Sequence, residues 1–347
     1  MNNIGKKFIS MVVGLAVLAA ILILVYRAEY ATEEAHTKDM FAMDTYFVLK
    51  AYGPEAETAL ELCEAKVLEL EAALSVTKAD SDVSKYNNRE SRMVSWDTYT
   101  LVEKALQLCE ETDGALDITL YPVQQAWGFT TDSKRVPSHE ELKELLKKVD
   151  YKGLIPSAPG RCPIIGMGEQ QIDLGAVAKG YTGDCLLDIL REQGVTSAML
   201  DLGGNVQVLG SKPDGSPWKV AVRNPLDTST AIGVLEISDK AVITSGSYER
   251  YFEENGKRYW HILDPKTGYP ADKGLVSVTV VGESGVRCDG LSTALFVMGK
   301  KNAVEFWRSA GDFEMLLVTE GGELYITEGL QENFVCSEGW NAEVINR

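Results

Sequence analysis

Residues 172–209 read IDLGAVAKGYTGDCLLDILREQGVTSAMLDLGGNVQVL. Asp173 and Gly175 end an extended segment, and Ala176 to Gln193 reads as a helix closed by Gly194, the position past a helix end that glycine favours. Two strands follow, Ser197 to Leu202 and Val206 to Leu209, with the tight Gly203-Gly204 pair between them. The same grouping continues outward. Strands are expected at Trp218 to Val222, Ile232 to Ile237, Leu275 to Val281, Glu314 to Thr319 and Glu323 to Thr327, and a helix at Cys288 to Met298 is closed by Gly299. Strands gathered between helices, with hairpin-like connections, predict an α+β fold of mixed or antiparallel sheets flanked by helices.

Towards the N-terminus, Phe41 to Gly53 is read as a strand ended by Gly-Pro. From Glu55 to Leu74, the apolar positions Ala59, Leu60, Cys63, Val67, Leu70 and Leu74 recur at helical spacing while glutamates fill the other face. Asp97 to Thr112 repeats the pattern, and Ser138-His-Glu-Glu141 is a capping box opening a short third helix. One domain is expected over 40–340, because no repeat and no Pro/Ser-rich linker divides it.

The first 27 residues differ in kind. Ile9 to Tyr26 carries no charge over eighteen residues, between Lys6-Lys7 and Arg27, just long enough to cross a bilayer. It is an anchor or a signal sequence, and the lack of a small-residue cleavage pattern after it favours an anchor. Residues 28–39 then form a juxtamembrane linker, with the lysines cytoplasmic and the bulk of the chain on the extracytoplasmic side of the cell membrane. Beyond residue 27 there are 31 basic and 51 acidic residues, a net −20, which excludes nucleic acid as a partner. An anionic substrate must therefore be met by a local device such as a metal ion. The six cysteines are scattered without a C-x-x-C pair and read as buried free thiols. The three histidines do not make a zincin pattern.

Chemistry-bearing residues collect where strands or turns meet helices. In Asp113-Gly-Ala-Leu-Asp117, running on to Trp127-Gly-Phe129, either a planar ligand rests near Trp127 or the aromatics are core. At Asp173 to Lys179, a helix start offers N–H groups to an anion, Lys179 one turn inside can reach a phosphate, and Asp173 can accept from a ribose, ribityl or base donor. The alternative is a plain N-cap beside a surface lysine. Neither GxxxxGK[ST] nor GxGxxG occurs. His261, three residues before Asp264-Pro265, is the one histidine in a motif-like setting. Asp289 and Thr293, four apart on one helix face, suit a hard cation such as Mg2+, or else are a capping Asp and a solvated Thr.

Met43-Asp-Thr45, Ser81 to Asn87, Asp113 to Asp117, Trp127 to Phe129, Ile172 to Gly180, Leu202 to Asn205, Thr244 to Gly246, His261 to Gly268 and Asp289 to Thr293 occur in an order that resembles the ApbE family of FAD:protein FMN transferases, over roughly Met43 to Val335. The resemblance implies an ApbE-like fold and FAD as donor, with Met43, Ala115, Leu116, Asp117, Asp173, Lys179 and His261 at the flavin site. It implies Mg2+ on Asp289, Thr293 and the Ala176 carbonyl, with His261 and Asp264 in the catalytic loop. The implied reaction moves FMN onto a Thr or Ser hydroxyl of a partner flavoprotein, a subunit of a membrane redox complex, by a phosphoester bond and releases AMP. An Mg2+-dependent FAD pyrophosphatase and a non-catalytic flavin-binding protein share the same residues. Two departures stand out: Asp44 where the family usually has Gly, and Leu116 and Ile118 where Phe and Pro are common.

Overall fold

A computed structural model describes Leu18 and residues 35–347 apart from 130, 132, 157–162 and 167. The expected anchor at 9–26 lies, apart from Leu18, outside the described residues. Among those described, no helix is long and apolar enough to cross a membrane.

The main sheet has nine strands. Its order is β1 (Ala35–Ala42), β2 (Thr45–Tyr52), β5 (Ser197–Leu202), β6 (Asn205–Leu209), β9 (Ala241–Gly246), β12 (Leu275–Gly282), β13 (Glu314–Thr319), β14 (Leu324–Thr327) and β16 (Ala342–Ile345). Every neighbouring pair is antiparallel except β14 with β16. Short hairpins β3 (Leu154–Pro156) with β4 (Ile164–Gly166) and β10 (Tyr251–Glu254) with β11 (Lys257–Trp260) stand apart, and β7 (Trp218–Arg223), β8 (Ala231–Ile237) and β15 (Phe334–Cys336) make a three-stranded sheet. The expected α+β class holds. The outer strands reach beyond 40–340, since β1 starts inside the expected linker and β16 ends at Ile345.

The long helices cover one face. α1 (Ala56–Leu74) and α6 (Ala178–Glu192) bury Leu60, Cys63, Val67, Leu186 and Leu190 against Leu49 and Leu200. α7 (Gly285–Ala310) lays Leu291 and Leu295 on Val278 and Val280. On the opposite face, Val206, Val208 and Leu316 meet Trp218, Val220 and Leu235 of the smaller sheet. A main sheet covered on both sides explains why β6 is buried along its whole length. Each large apolar side chain withdrawn from water there contributes about 1.5–3 kcal/mol. Shorter helices α2 (Asp82–Asn87), α3 (Trp96–Glu111), α4 (Tyr121–Trp127) and α5 (His139–Leu146) close the rim. Ser95 and Ser138 cap α3 and α5 through their hydroxyls. Five described cysteines are free, with Cys63, Cys109 and Cys288 buried.

Three expectations change. Phe41 to Gly53 is not one strand: the chain reverses at Met43 and Asp44, whose φ values of 49° and 60° form a two-residue hairpin turn. α6 starts two residues after Ala176, behind Val177, which makes no side-chain cap. α7 begins at Gly285, capped by Ser284, so Asp289 lies inside the helix and is not its cap. Gly299 does end the regular helix, at φ 76° and ψ 163°, but the chain then resumes helical form to Ala310.

Candidate active site

α6 and α7 touch through glycines. A Cβ on Gly180 would collide with the Gly285 carbonyl oxygen and with Asp289, and a Cβ on Gly183 would collide with Gln207. Only that close approach lets the Gly180 N–H donate to Asp289 Oδ2 at 2.8 Å. Fully buried Gln207 donates from Nε2 to the Gly180 carbonyl at 2.9 Å, so the peptides on both sides of the Gly180 Cα are held. Asp184 accepts from the Gly285 and Val286 N–H groups at 2.6 and 3.1 Å, so α6 supplies a cap for α7. Burial pushes the Asp289 carboxyl up, against the pull of Lys179 and of the Gly180 N–H. One turn on, Thr293 Oγ1 lies 3.2 Å from Ser245 Oγ, at the end of β9.

The start of α6 is less open to an anion than its sequence suggests. Leu174 O receives the Val177 and Ala178 N–H groups, Asp173 Oδ1 receives that of Gly175, and Asp289 takes that of Gly180. The anion at this helix end is thus the protein's own Asp289. Lys179 is the second residue of the helix and half-buried. Its charge acts on Asp289, Asp173, Glu249 and His261 together, which makes it the shared cation of the recess. Desolvation raises the half-buried Asp173 carboxyl and also that of Glu249, although the Glu249 residue stands open to water, and Lys179 and Arg250 oppose the rise in both.

The segment 115–118 abuts this centre. The Asp173 N–H donates to the Ile118 carbonyl at 2.9 Å, and Leu116 lies beside Gly290 with Val177. Leu116 is buried and Ala115 packs against the same core. Asp117 accepts from the Thr119 N–H and hydroxyl at 2.8 and 2.6 Å, so one of its oxygens is spent on holding its own loop. Met43 packs on both helix-side clusters, and its Sδ accepts from Thr182 Oγ1 at 3.7 Å. Thr45 sits under Gly203, where a Cβ would strike it, so the two hairpin turns of β1–β2 and β5–β6 stack.

His261 closes the other side. The Arg250 carbonyl receives the His261 N–H at 3.0 Å and lies 3.2 Å from Nδ1. A carbonyl can only accept, so Nδ1 carries the ring proton and Nε2 keeps its lone pair. Burial, with Arg250 and Lys179 nearby, lowers the imidazole to about 4 although water still reaches the ring, so it is neutral at pH 7. Asp264 does not meet His261 through any described hydrogen bond. Its carboxylate accepts from the Lys266 N–H at 2.9 Å and pairs with Lys273 at 3.0 Å, pinning the loop that follows.

Trp127 is not a ligand platform. It is fully buried among Phe129, Tyr259 and Tyr269, and its Nε1 donates to the Gly268 carbonyl at 2.7 Å. Glu249, Asn205 and Ser245 lie within chemistry-bearing segments without an individual role following from residue order, and Arg250, Asp184 and Gln207 carry no such signal. Gly180 and Gly183, spaced on one helix, mark a close approach, but only the fold shows Gln207 to be what approaches. A separate cavity of about 630 Å³ is lined by Glu236, Glu283, Asp312 and Glu314 with Lys240 as its one basic side chain, a charge balance that repels an anionic dinucleotide.

The residues expected to hold magnesium suit a hard cation. Asp289 is only 5% exposed, accepts from the Gly180 N–H with one oxygen, and has the Asn205 side chain and Lys179 beside it favouring the ionised form against burial. A buried, burial-raised carboxylate with a threonine hydroxyl on the same helix face is an oxygen donor set awaiting positive charge.

The ApbE family model matches residues 43–317. The FAD:protein FMN transferase of Vibrio cholerae is 33% identical over 297 residues, 83% of this chain and 88% of the relative. That of Escherichia coli K12 is 31% identical over 304 residues, covering 82% and 84%. Among solved structures, the ApbE protein of Thermotoga maritima superposes with a TM-score of 0.81 at 33% identity, over 86% of this chain and 99% of that one. The flavin transferase ApbE from Vibrio cholerae gives 0.78 at 29% identity, over 87% and 99%. With the family model spanning most of the sheet and every element that builds the recess, the chain belongs to the ApbE family.

Proposed function

We propose that the chain is an FAD:protein FMN transferase. A threonine or serine hydroxyl of a partner flavoprotein attacks the phosphorus on the FMN side of FAD; the new phosphoester forms as the bond to AMP breaks, and AMP leaves. The observation that carries this reading is the convergence, around Lys179, of the buried Asp289 and of His261 with a free Nε2. Relatives that carry the transferase name over most of their length support it.

Asp289, Thr293 and the Ala176 carbonyl would hold magnesium, whose charge lowers the repulsion at a pyrophosphate and at departing AMP. Lys179 steadies the phosphates, and Asp173 offers its second oxygen to a donor on the FAD. Met43, Ala115, Leu116 and Asp117 form the wall nearest the flavin. His261 Nε2 accepts the hydroxyl proton, a step worth about 10²- to 10⁴-fold. A base held at about 4 is weak in the free enzyme, and an incoming pyrophosphate anion strengthens it. Asp264 acts through Lys273 by fixing the loop. An apolar 9–26 segment as anchor supports an extracytoplasmic domain with a membrane redox subunit as acceptor.

The test is incubation of the full chain with FAD and Mg2+, with and without a threonine-bearing redox subunit. AMP release that needs the acceptor, together with a fluorescent acceptor band on a denaturing gel, is the expected result. Steady FMN and AMP without a labelled band would instead establish a pyrophosphatase.

A further inference from the structure

We propose that Asp44 and Arg250 form an ionic clasp across the mouth of the recess, and that Asp44 thereby sets how tightly the site takes the pyrophosphate of its donor. The inference rests on reading the recess as the FAD site.

The two residues stand on separate walls. Asp44 is the tip of the β1–β2 hairpin at the edge of the main sheet, and Arg250 leads into β10. Asp44 Oδ2 lies 4.0 Å from Arg250 Nη2, too far for a hydrogen bond, with the side chains 84% and 53% exposed. Such a pair is weak and screened by salt, so it can open. The turn that carries Asp44 is tied to α1 at its first residue, where the Met43 N–H donates to Glu71 Oε1 at 2.9 Å, and this tether holds Asp44 towards Arg250.

Arg250 has two jobs. Its carbonyl holds His261 at the backbone and at Nδ1, while its guanidinium acts electrostatically on Asp173, Glu249 and His261, as Lys179 does. Arg223 also acts on Glu249, so among the described residues Arg250 is one of three cations facing the recess. On a chain with a net −20 beyond residue 27, an anionic donor bound without metal leans on them. Asp44 competes with that donor for Arg250. The donor enters by displacing the Asp44 carboxylate, and the carboxylate returns when it leaves.

The experiment measures flavin fluorescence quenching on the full chain with a metal chelator present, so that no turnover occurs. FAD and riboflavin, which lacks phosphate, are titrated into wild type, Asp44→Asn, Arg250→Gln and the double variant. Asn tolerates a left-handed turn, so the hairpin is kept. At low ionic strength Asp44→Asn should bind FAD about two- to fivefold more tightly, lose that gain at high salt, and bind riboflavin as wild type does. Arg250→Gln should weaken FAD, and adding Asp44→Asn to it should change nothing more. An unchanged FAD affinity in Asp44→Asn overturns the clasp. So does an equal gain with and without Arg250, which would make Asp44 a general repulsive charge. A wild-type chain that binds riboflavin and FAD equally well, or neither, overturns the donor-site reading itself and the clasp with it.

Discussion

At the floor of the recess, Asp289 is held in three ways: by the Gly180 N–H, by the helix approach that two glycines permit, and by Gln207 locking the next peptide through the Gly180 carbonyl. At its mouth, His261 hangs on one carbonyl of a four-residue-stranded exposed hairpin, and Asp44 on a long ion pair. The floor is set by buried backbone geometry and the mouth by contacts open to water. A metal ligand needs fixed geometry, whereas a group that meets two substrates in turn needs room to move. The floor should thus fail as a unit, while the mouth can be tuned residue by residue.

Asp289→Asn is the sharpest cut at the floor. The amide keeps the shape and removes the charge, so activity should fall about 10³-fold or more as several kcal/mol of charge stabilisation are lost. Folding stability should hold or rise, because burial already disfavours the ionised carboxylate. Mg2+ should raise the melting temperature of wild type and not of the variant. Full activity in Asp289→Asn would break the contrast, by showing that the floor is structural only. Gly180→Ala tests the same region through packing: the new methyl meets the Gly285 carbonyl and Asp289, so about 3 kcal/mol of stability should be lost in urea unfolding.

The mouth should behave otherwise. His261→Gln is expected to lower turnover about 10²-fold with little change in stability at pH 7. Below neutrality the two chains should diverge. The folded pKa of about 4 lies below the ordinary 6.5, so the unfolded chain takes up the proton first. The stability that His261 contributes is whole above pH 6.5 and is lost as pH falls towards 4. Allowing for the water that reaches the ring, on the order of 1–2 kcal/mol should disappear from wild type in denaturant titrations between those values. His261→Gln should not show that loss. Parallel pH profiles for the two chains would place the imidazole in bulk solvent.

The same division governs what could be read from residue order. The floor was largely legible: Asp289 and Thr293 at helical spacing, and the helix stops at Gly194 and Gly299, follow from local chemistry that a linear pattern carries. The Gly203-Gly204 turn was legible too, since both residues need positive φ and glycine advertises it. Gln207 and Asp184 were not, because their roles exist only once α6 and α7 cross. Arg250 was hidden for a related reason: its working group towards His261 is a backbone carbonyl, which every residue has. The anion-binding helix start misled, because the carboxylate that fills it comes from a residue 109 positions on.

The β1–β2 turn shows the limit most plainly and gives the smallest expected effect. Its geometry matches that of Gly203-Gly204, yet Met43-Asp44 carries no glycine, and Phe41 to Gly53 therefore read as one strand. An L-residue in the left-handed region costs roughly 1–2 kcal/mol, less for Asp, whereas glycine there loses more chain entropy on folding by about 0.5–1 kcal/mol. The weak ion pair to Arg250 offsets part of the remainder. Asp44→Gly should therefore shift unfolding stability by no more than about 0.5 kcal/mol in either direction. If stability fell by well over that, Asp44 would be holding the hairpin to the β10 wall as part of the fold. The mouth would then share the floor's rigidity, and the distinction between the two regions would collapse.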